Sequence, residues 1–175
     1  AGAITLNVTN GALSGTAADL TAAFAGTITG YTGALTVTDQ ANVAQLVAIN
    51  AATNAAITLD VVNGALTGSA ANLVSAFAGT ITAYTGALTF SDDHNLAQLV
   101  AVNNATSGTI GFNDNTVTLS GSSADVTAAL DGTTYNAAVT LTDQATVAQL
   151  VAVNAANGGA ITLNVTNGAL SGTAA

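Results

Sequence analysis

Residues 2–18, GAITLNVTNGALSGTAA, recur letter for letter as residues 159–175. A chain that reopens with its own first segment is not built around one unrepeated core. It reads as a window cut from a longer tandem array of stacked units. The same anchors keep register through the middle: Leu13, Leu66 and Leu119 are 53 residues apart each time, and Leu170 follows after 51. Phe24, Phe77 and Leu130 hold that register, as do Tyr31 and Tyr84, whereas Tyr135 comes two residues early. The two-residue deletion therefore falls in a loop between Gly132 and Tyr135. One continuous array over 1–175 is expected, with units of about 1–53, 54–106 and 107–157 and a partial restart at 158–175.

Within a unit, Ile4-Thr5-Leu6-Asn7-Val8 alternates apolar and polar residues, the two-residue period of a half-buried strand. Asn10-Gly11 gives a hairpin-turn signal, repeated at Asn63-Gly64 and Asn167-Gly168. Ala12-Leu13-Ser14 resumes extended structure. Ser14 or Thr16 caps a helix from Ala17 to Ala25, with Leu20 and Phe24 on one face and Gly26 at its end. Thr27-Ile28-Thr29 and 34–38 predict two more strands around a Gly30 to Gly33 turn. Asp39, Asp92 and Asp143 then occupy good N-cap positions for a second helix from about Gln40 to Asn50, striped by Val43, Leu46 and Val47.

Ile4 to Leu13 also aligns with Ile28 to Val37, so each 53-residue unit reads as a pair of strand-turn-strand-helix half-units. The expected fold is an α/β repeat solenoid of coils about 25 residues long, strand stacked on strand. Strands stack at about 4.8 Å, whereas helices need about 8 to 10 Å. One helix per strand on a single face bends such a stack, and helices alternating between two faces keep it straight. The alternation of a short Ala-rich helix with a longer one carrying Val-Ala-Gln-Leu-Val favours the straighter arrangement.

The strings TLSGSSADVTAAL and AAVTLTDQATVAQLVAVNAANGG, with ALSGTAADLTAAF and ALTVTDQANVAQL elsewhere, span essentially the whole chain. They resemble the Thr/Ala/Gly-rich tandem repeats of very large secreted or cell-surface proteins of cyanobacteria and other Gram-negative bacteria, many grouped with RTX-type, haemolysin-like calcium-binding proteins and adhesins. The resemblance implies export, an extracellular or cell-surface location and a structural or adhesive role. It does not carry calcium over, because the chain has no GGxGxDxUx nonapeptide.

The chain has no Lys, Arg or Cys, and all nine acids are Asp. Phosphate binding rests on basic side chains, so nucleic acid and anionic membrane surfaces are not expected partners. Apolar runs stop well short of the length of a membrane span, no signal peptide is visible, and thiol chemistry is absent. Asp92-Asp93-His94 is the single place where an imidazole adjoins carboxylates. A metal there needs more ligands, and the expected reading is an N-cap with a negatively charged first turn. Asn113-Asp114-Asn115 resembles a fragment of a calcium loop and is expected to be a turn. One histidine in three units supplies no repeated triad, and the recurrent Asp39, Asp92 and Asp143 sit where helices need caps, so no enzyme activity, catalytic residue, cofactor or metal site is expected. Asn7-Val8-Thr9, Asn104-Ala105-Thr106 and Asn164-Val165-Thr166 fit the glycosylation sequon, as chance allows in an Asn- and Thr-rich chain.

Equivalent residues, namely Asn7, Asp60, Asn113 and Asn164, then Thr36, Thr89 and Thr140, then the three tyrosines, are expected to stack in rows from coil to coil. Neither end carries the Lys, Pro or polar caps that keep sheet edges and solenoid ends from joining. Either copies of the chain join end to end by strand addition, making the chain its own partner, or the array continues covalently, with lateral bundling restrained only by the Asp charge. That makes it a structural repeat domain of an extracellular filament, sheath, surface layer or adhesin stalk. The alternative is an ice- or other surface-binding module presenting Thr arrays such as Thr27-Ile28-Thr29, Thr36-Val37-Thr38 and Thr140-Leu141-Thr142.

Overall fold

Each alternating triplet of the repeat pairs in parallel with the triplet one turn of chain later. In the computed structural model, which describes residues 4–6, 8–26, 28, 31–79, 81, 83–165 and 168–170, the order is β1 (Leu13–Gly15), α1 (Ala17–Phe24), β2 (Leu35–Val37), α2 (Val43–Ala52), β3 (Ile57–Leu59), β4 (Leu66–Gly68), α3 (Ala70–Phe77), β5 (Leu88–Phe90), α4 (Leu96–Asn103), β6 (Ile110–Phe112), β7 (Leu119–Gly121), α5 (Ser123–Leu130), β8 (Val139–Leu141), α6 (Val147–Ala156) and β9 (Ile161–Leu163). Asn7, Thr27, Thr29, Gly30, Thr166 and Asn167, which figure in the expected rows, strands, turns and sequons, lie outside the described residues.

The chain is a mixed α/β structure with three parallel sheets, ordered β1-β2-β3, β4-β5-β6 and β7-β8-β9. Leu13 lies opposite Leu35 and Leu35 opposite Ile57, so one turn takes 22 residues rather than about 25. The second sheet keeps that spacing, and the step from Leu119 to Val139 is two residues shorter because the deletion falls there. Two such turns fall nine residues short of a unit. Ile57 therefore closes the first sheet, and Leu66, nine residues on, opens the second.

This phase slip overturns the expected rows. Thr36 stands between Ser14 and Thr58, not beside Thr89, which belongs to the second sheet, or Thr140, which belongs to the third. Asp60, Asn113 and Asn164 likewise follow the last strands of three different sheets. Among the described residues the expected hairpins are absent as well. Among the described residues only Ala83 and Gly132 have positive φ, so Asn63-Gly64 does not form the turn that would fold a strand back antiparallel.

The helices do not alternate between two faces, since each packs against the next in sequence from α1 to α6. The mismatch between strand and helix spacing is met in another way: every third strand connection, β3 to β4 and β6 to β7, carries no helix, and the sheet ends there. Val43, Leu46 and Ile49 of α2, Leu73 of α3 and Leu99 of α4 are buried against the inward side chains of the strands, of which Leu35, Ile57 and Leu88 are fully enclosed. Burial of each such side chain contributes about 1.5–3 kcal/mol.

Helix starts are set by short polar side chains. Thr16, Ser69 and Ser122 cap α1, α3 and α5, each accepting from the backbone N–H three residues on. Asn42, Asn95 and Thr146 cap α2, α4 and α6 in reciprocal boxes with Gln45, Gln98 and Gln149. The second helix thus starts three residues later than expected, and the three recurrent aspartates do not cap it. Asp39 Oδ1 instead accepts from the Ala17 N–H at the start of the preceding helix, at 2.7 Å. Asp92 does the same for Ala70 at 2.7 Å and Asp143 for Ser123 at 2.6 Å. A carboxylate here meets an exposed helix N–H and the positive end of the helix dipole together, which its own downstream helix does not offer.

Candidate functional site

The chemistry-bearing side chains converge at one place, where the second unit meets the third. Phe90 stands where the other units have Val37 and Leu141, His94 replaces Ala41 and Ala145, Phe112 replaces Leu59 and Leu163, and Val117 replaces Gly64 and Gly168. His94 is 4% exposed. Its ring lies 4.8 Å from that of Phe90, 5.0 Å from Phe112 and 5.8 Å from Tyr135, centroid to centroid. The expected N-cap role for Asp92-Asp93-His94 is corrected accordingly. Asp92 serves the preceding helix, α4 starts at Leu96 behind Asn95, and His94 turns inward.

Hydrogen bonding fixes the tautomer. Tyr135 donates its O–H to the Val117 carbonyl at 2.5 Å, and burial with Asp114 nearby pushes the phenol up to about 12, so it keeps that proton. His94 Nε2 is 3.1 Å from the same oxygen and must therefore be the donor. Nδ1 is left as a bare, buried acceptor without a partner. Burial lowers the imidazole pKa, against a smaller upward pull from Asp93, Asp114 and Asp92. A depressed histidine favours the neutral form in the folded chain, so its contribution to stability is complete above the ordinary value of about 6.5 and is lost as pH falls below it. His94 is the single histidine. The urea midpoint of the wild type is therefore expected to decline between about pH 7.5 and 5.5, and His94→Gln to flatten that slope. An unchanged slope in the variant would assign the titration elsewhere.

Among the described residues no group of three or more His, Asp or Glu side chains is placed to hold a metal. Asp114 is engaged by Thr116, whose N–H and O–H both donate to its Oδ1 at 2.8 and 2.6 Å, the turn expected for Asn113-Asp114-Asn115.

The repeated polar groups join coils. The Tyr31 hydroxyl donates to the Gly11 carbonyl and Tyr84 to Gly64, so the tyrosines plug carbonyls one coil back rather than forming a row. Thr53 and Thr106 donate in the same way to Gly33 and Gly86, at 3.0 and 2.7 Å. The glycines permit this approach, since a Cβ on Gly33 would overlap the Gly11 carbonyl and one on Gly86 the Gly64 carbonyl. Asn50 Nδ2 donates forward to Ser75 at the C-terminal end of α3, at 2.9 Å, and Asn103 to Ala128 of α5 at 2.8 Å.

Among the described residues the first and last copies of these positions lack such a neighbour. Leu66 and Leu119 are 5% and 1% exposed, whereas their equivalents Leu13 and Leu170 are 43% and 50% exposed. Val47 and Val100 pack against the core from α2 and α4, but Val151 on α6 faces solvent. Asn154, the equivalent of Asn50 and Asn103, is also exposed. The hydroxyl rows on the sheets are three strands wide at most: Ser14, Thr36 and Thr58, then Ser120, Thr140 and Thr162, with Gly111 interrupting the row in the second sheet. Among the described residues no helix is long and apolar enough to cross a membrane. No protein-family model, no curated protein and no solved structure matches the chain.

Proposed function

We propose that the chain is a structural module, the solenoid repeat domain of an extracellular filament, sheath, surface layer or adhesin stalk, whose copies join end to end. The reading is supported above all by the contrast between Leu66 and Leu119, which have coils on both sides, and Leu13 and Leu170, which have a coil on one side only among the described residues. The same side chain is enclosed between two coils and exposed beside one, so each coil is suited to be covered by another. Apolar surface of this kind favours association with whatever reproduces the missing coil, and another copy of the chain does so with identical residues. The Thr/Ala/Gly-rich resemblance adds a secreted or cell-surface setting, and the absence of basic side chains leaves self-association as the partner class the surface fits.

The purified chain is expected to form linear filaments in a concentration-dependent way, visible by negative-stain microscopy and pelleting on ultracentrifugation. A monomer at millimolar concentration would sink the reading. The second reading, ice or surface binding, draws on the hydroxyl rows. Thermal hysteresis from wild-type protein, lost when Thr36, Thr89 and Thr140 are replaced by bulky residues, would favour it over the structural one.

A further inference from the structure

One position of the repeat answers to protons in a single copy. Ala41 and Ala145 fill it in the first and third units, and His94 fills it in the second. The ring is enclosed by Phe90 from its own unit and by Phe112 and Tyr135 from the third, and its Nε2 reaches the Tyr135 hydroxyl oxygen at 3.1 Å. His94 therefore sits on the seam between two units and is a hydrogen-bonded tie across it. A neutral imidazole has one N–H to place, and Tyr135 accepts it. An imidazolium has two, and the cluster offers no acceptor to Nδ1. The carboxylates that would welcome a positive charge lie outside: Asp92 and Asp93 are exposed ahead of α4, and Asp114, on the β6–β7 connection, accepts from Thr116. With Tyr135, whose phenol keeps its proton, these are the titratable groups around the ring.

We propose that His94 is a proton-operated latch on this seam: neutral, it ties the second unit to the third through Tyr135, and protonated on Nδ1 it leaves the aromatic cluster for the carboxylates outside, so the seam opens while the rest of the stack stays closed. One proton is taken from solvent and no covalent bond changes. Burial works in the same direction by disfavouring the charged ring inside the cluster, and Asp93, Asp114 and Asp92 supply the outward pull. At the preceding seam, where Tyr84 reaches the Gly64 carbonyl, the equivalent Ala41 takes no proton. Opening withdraws the packing that Phe90 and Phe112 share with Tyr135, so acid turns one fixed joint of the stack into a hinge.

Three equivalent backbone amides report on the latch in the unmodified protein. Asp60 donates to Val37, Asn113 to Phe90 and Asn164 to Leu141, each at 2.9 Å, and Asn113 alone does so beside the histidine. Hydrogen exchange read by NMR is expected to show the protection factor of Asn113 falling about tenfold from about pH 7.5 to about pH 5.5, the ratio that one proton binding the open form at the ordinary value of about 6.5 produces. Asp60 and Asn164 are expected to change by less than about twofold. An equal fall at all three amides would mean that acid loosens the whole stack, which overturns the latch and leaves the pH dependence of the urea midpoint in place. The single histidine also gives one imidazole signal. A ring that titrates at about 6.5 while Asn113 stays fully protected at about pH 5.5 would show that the closed cluster carries the charge, and would overturn the latch as well. His94→Gln, and His94→Ala, which installs the residue of the other two units, are each expected to hold the protection of Asn113 constant over this range. A tenfold fall that persists in either variant would assign the proton to another group.

Discussion

Gly86→Ala is expected to destabilise the fold by about 3 kcal/mol, with a loss of most of the cooperative urea transition. A Cβ at this position falls on the carbonyl of Gly64, and Gly86's own carbonyl is crowded in turn by Gly108 from the coil beyond. Those neighbours are backbone, held by the Tyr84 hydroxyl on one carbonyl and the Thr106 hydroxyl on the other, so no side chain can swing aside. The coils would have to separate there, and the parallel pairing on either side would loosen with them. Gly26→Ala supplies the control, because a Cβ there meets nothing within 4 Å. It is expected to be neutral or to stabilise by up to about 1 kcal/mol through the unfolded chain. Equal effects of the two substitutions would mean that close approach of coils is not what holds the stack.

Replacing Asp39, Asp92 and Asp143 together by Ala is expected to cost about 3 kcal/mol, from about 1 kcal/mol per helix cap at three separate sites. The sign is informative. The chain carries a net charge of -9 with no Lys or Arg to oppose it, so removing three carboxylates relieves repulsion and, on charge alone, would stabilise. A fall in the urea midpoint therefore measures the bonds to Ala17, Ala70 and Ser123. A rise would mean that repulsion outweighs the caps, and added salt would then raise the wild type by the same amount.

Much of the local structure is legible in the residues. Thr16 caps α1 where the pattern puts a cap, the helices fall in their expected places to within a few residues, and the deletion before Tyr135 shortens one turn by two residues. Register is where reading fails. Aligning Ile4 with Ile28 finds a true bridge 24 residues long, but extending the alignment pairs Leu13 with Val37, whereas Leu13 meets Leu35. Nine residues separate Ile4 from Leu13 and seven separate Ile28 from Leu35, a drift that hydrophobic periodicity does not reveal because both spacings keep the same faces inward. The misreading of the aspartates has the same origin. Asp39 lies 22 residues after Ala17, one turn away, but that relation means nothing until the turn length is known. Asn63-Gly64 misleads for a different reason: a glycine makes room for a neighbouring side chain, here Gln40, as readily as it takes a positive φ, and composition does not say which.

The aromatic cluster leaves a trace in the sequence that comparison of the units could have found. Gln40 and Gln144 lie over Gly64 and Gly168, whose missing Cβ makes room for them. Where the middle unit meets the third, the glycine becomes Val117 and the glutamine becomes Asp93, while Ala41 becomes His94 and Val37 becomes Phe90. Departures from a repeat that occur together mark residues that touch, because each substitution is accommodated by the volume its neighbour gains or gives up.

Asp39 reaches back to the helix before it, and Asn50 reaches forward to the helix after it; among the described residues no side chain of either kind runs the opposite way. The stack thus carries an arrow. If copies join end to end as proposed, the fibre they make would be directional, its two tips presenting different groups.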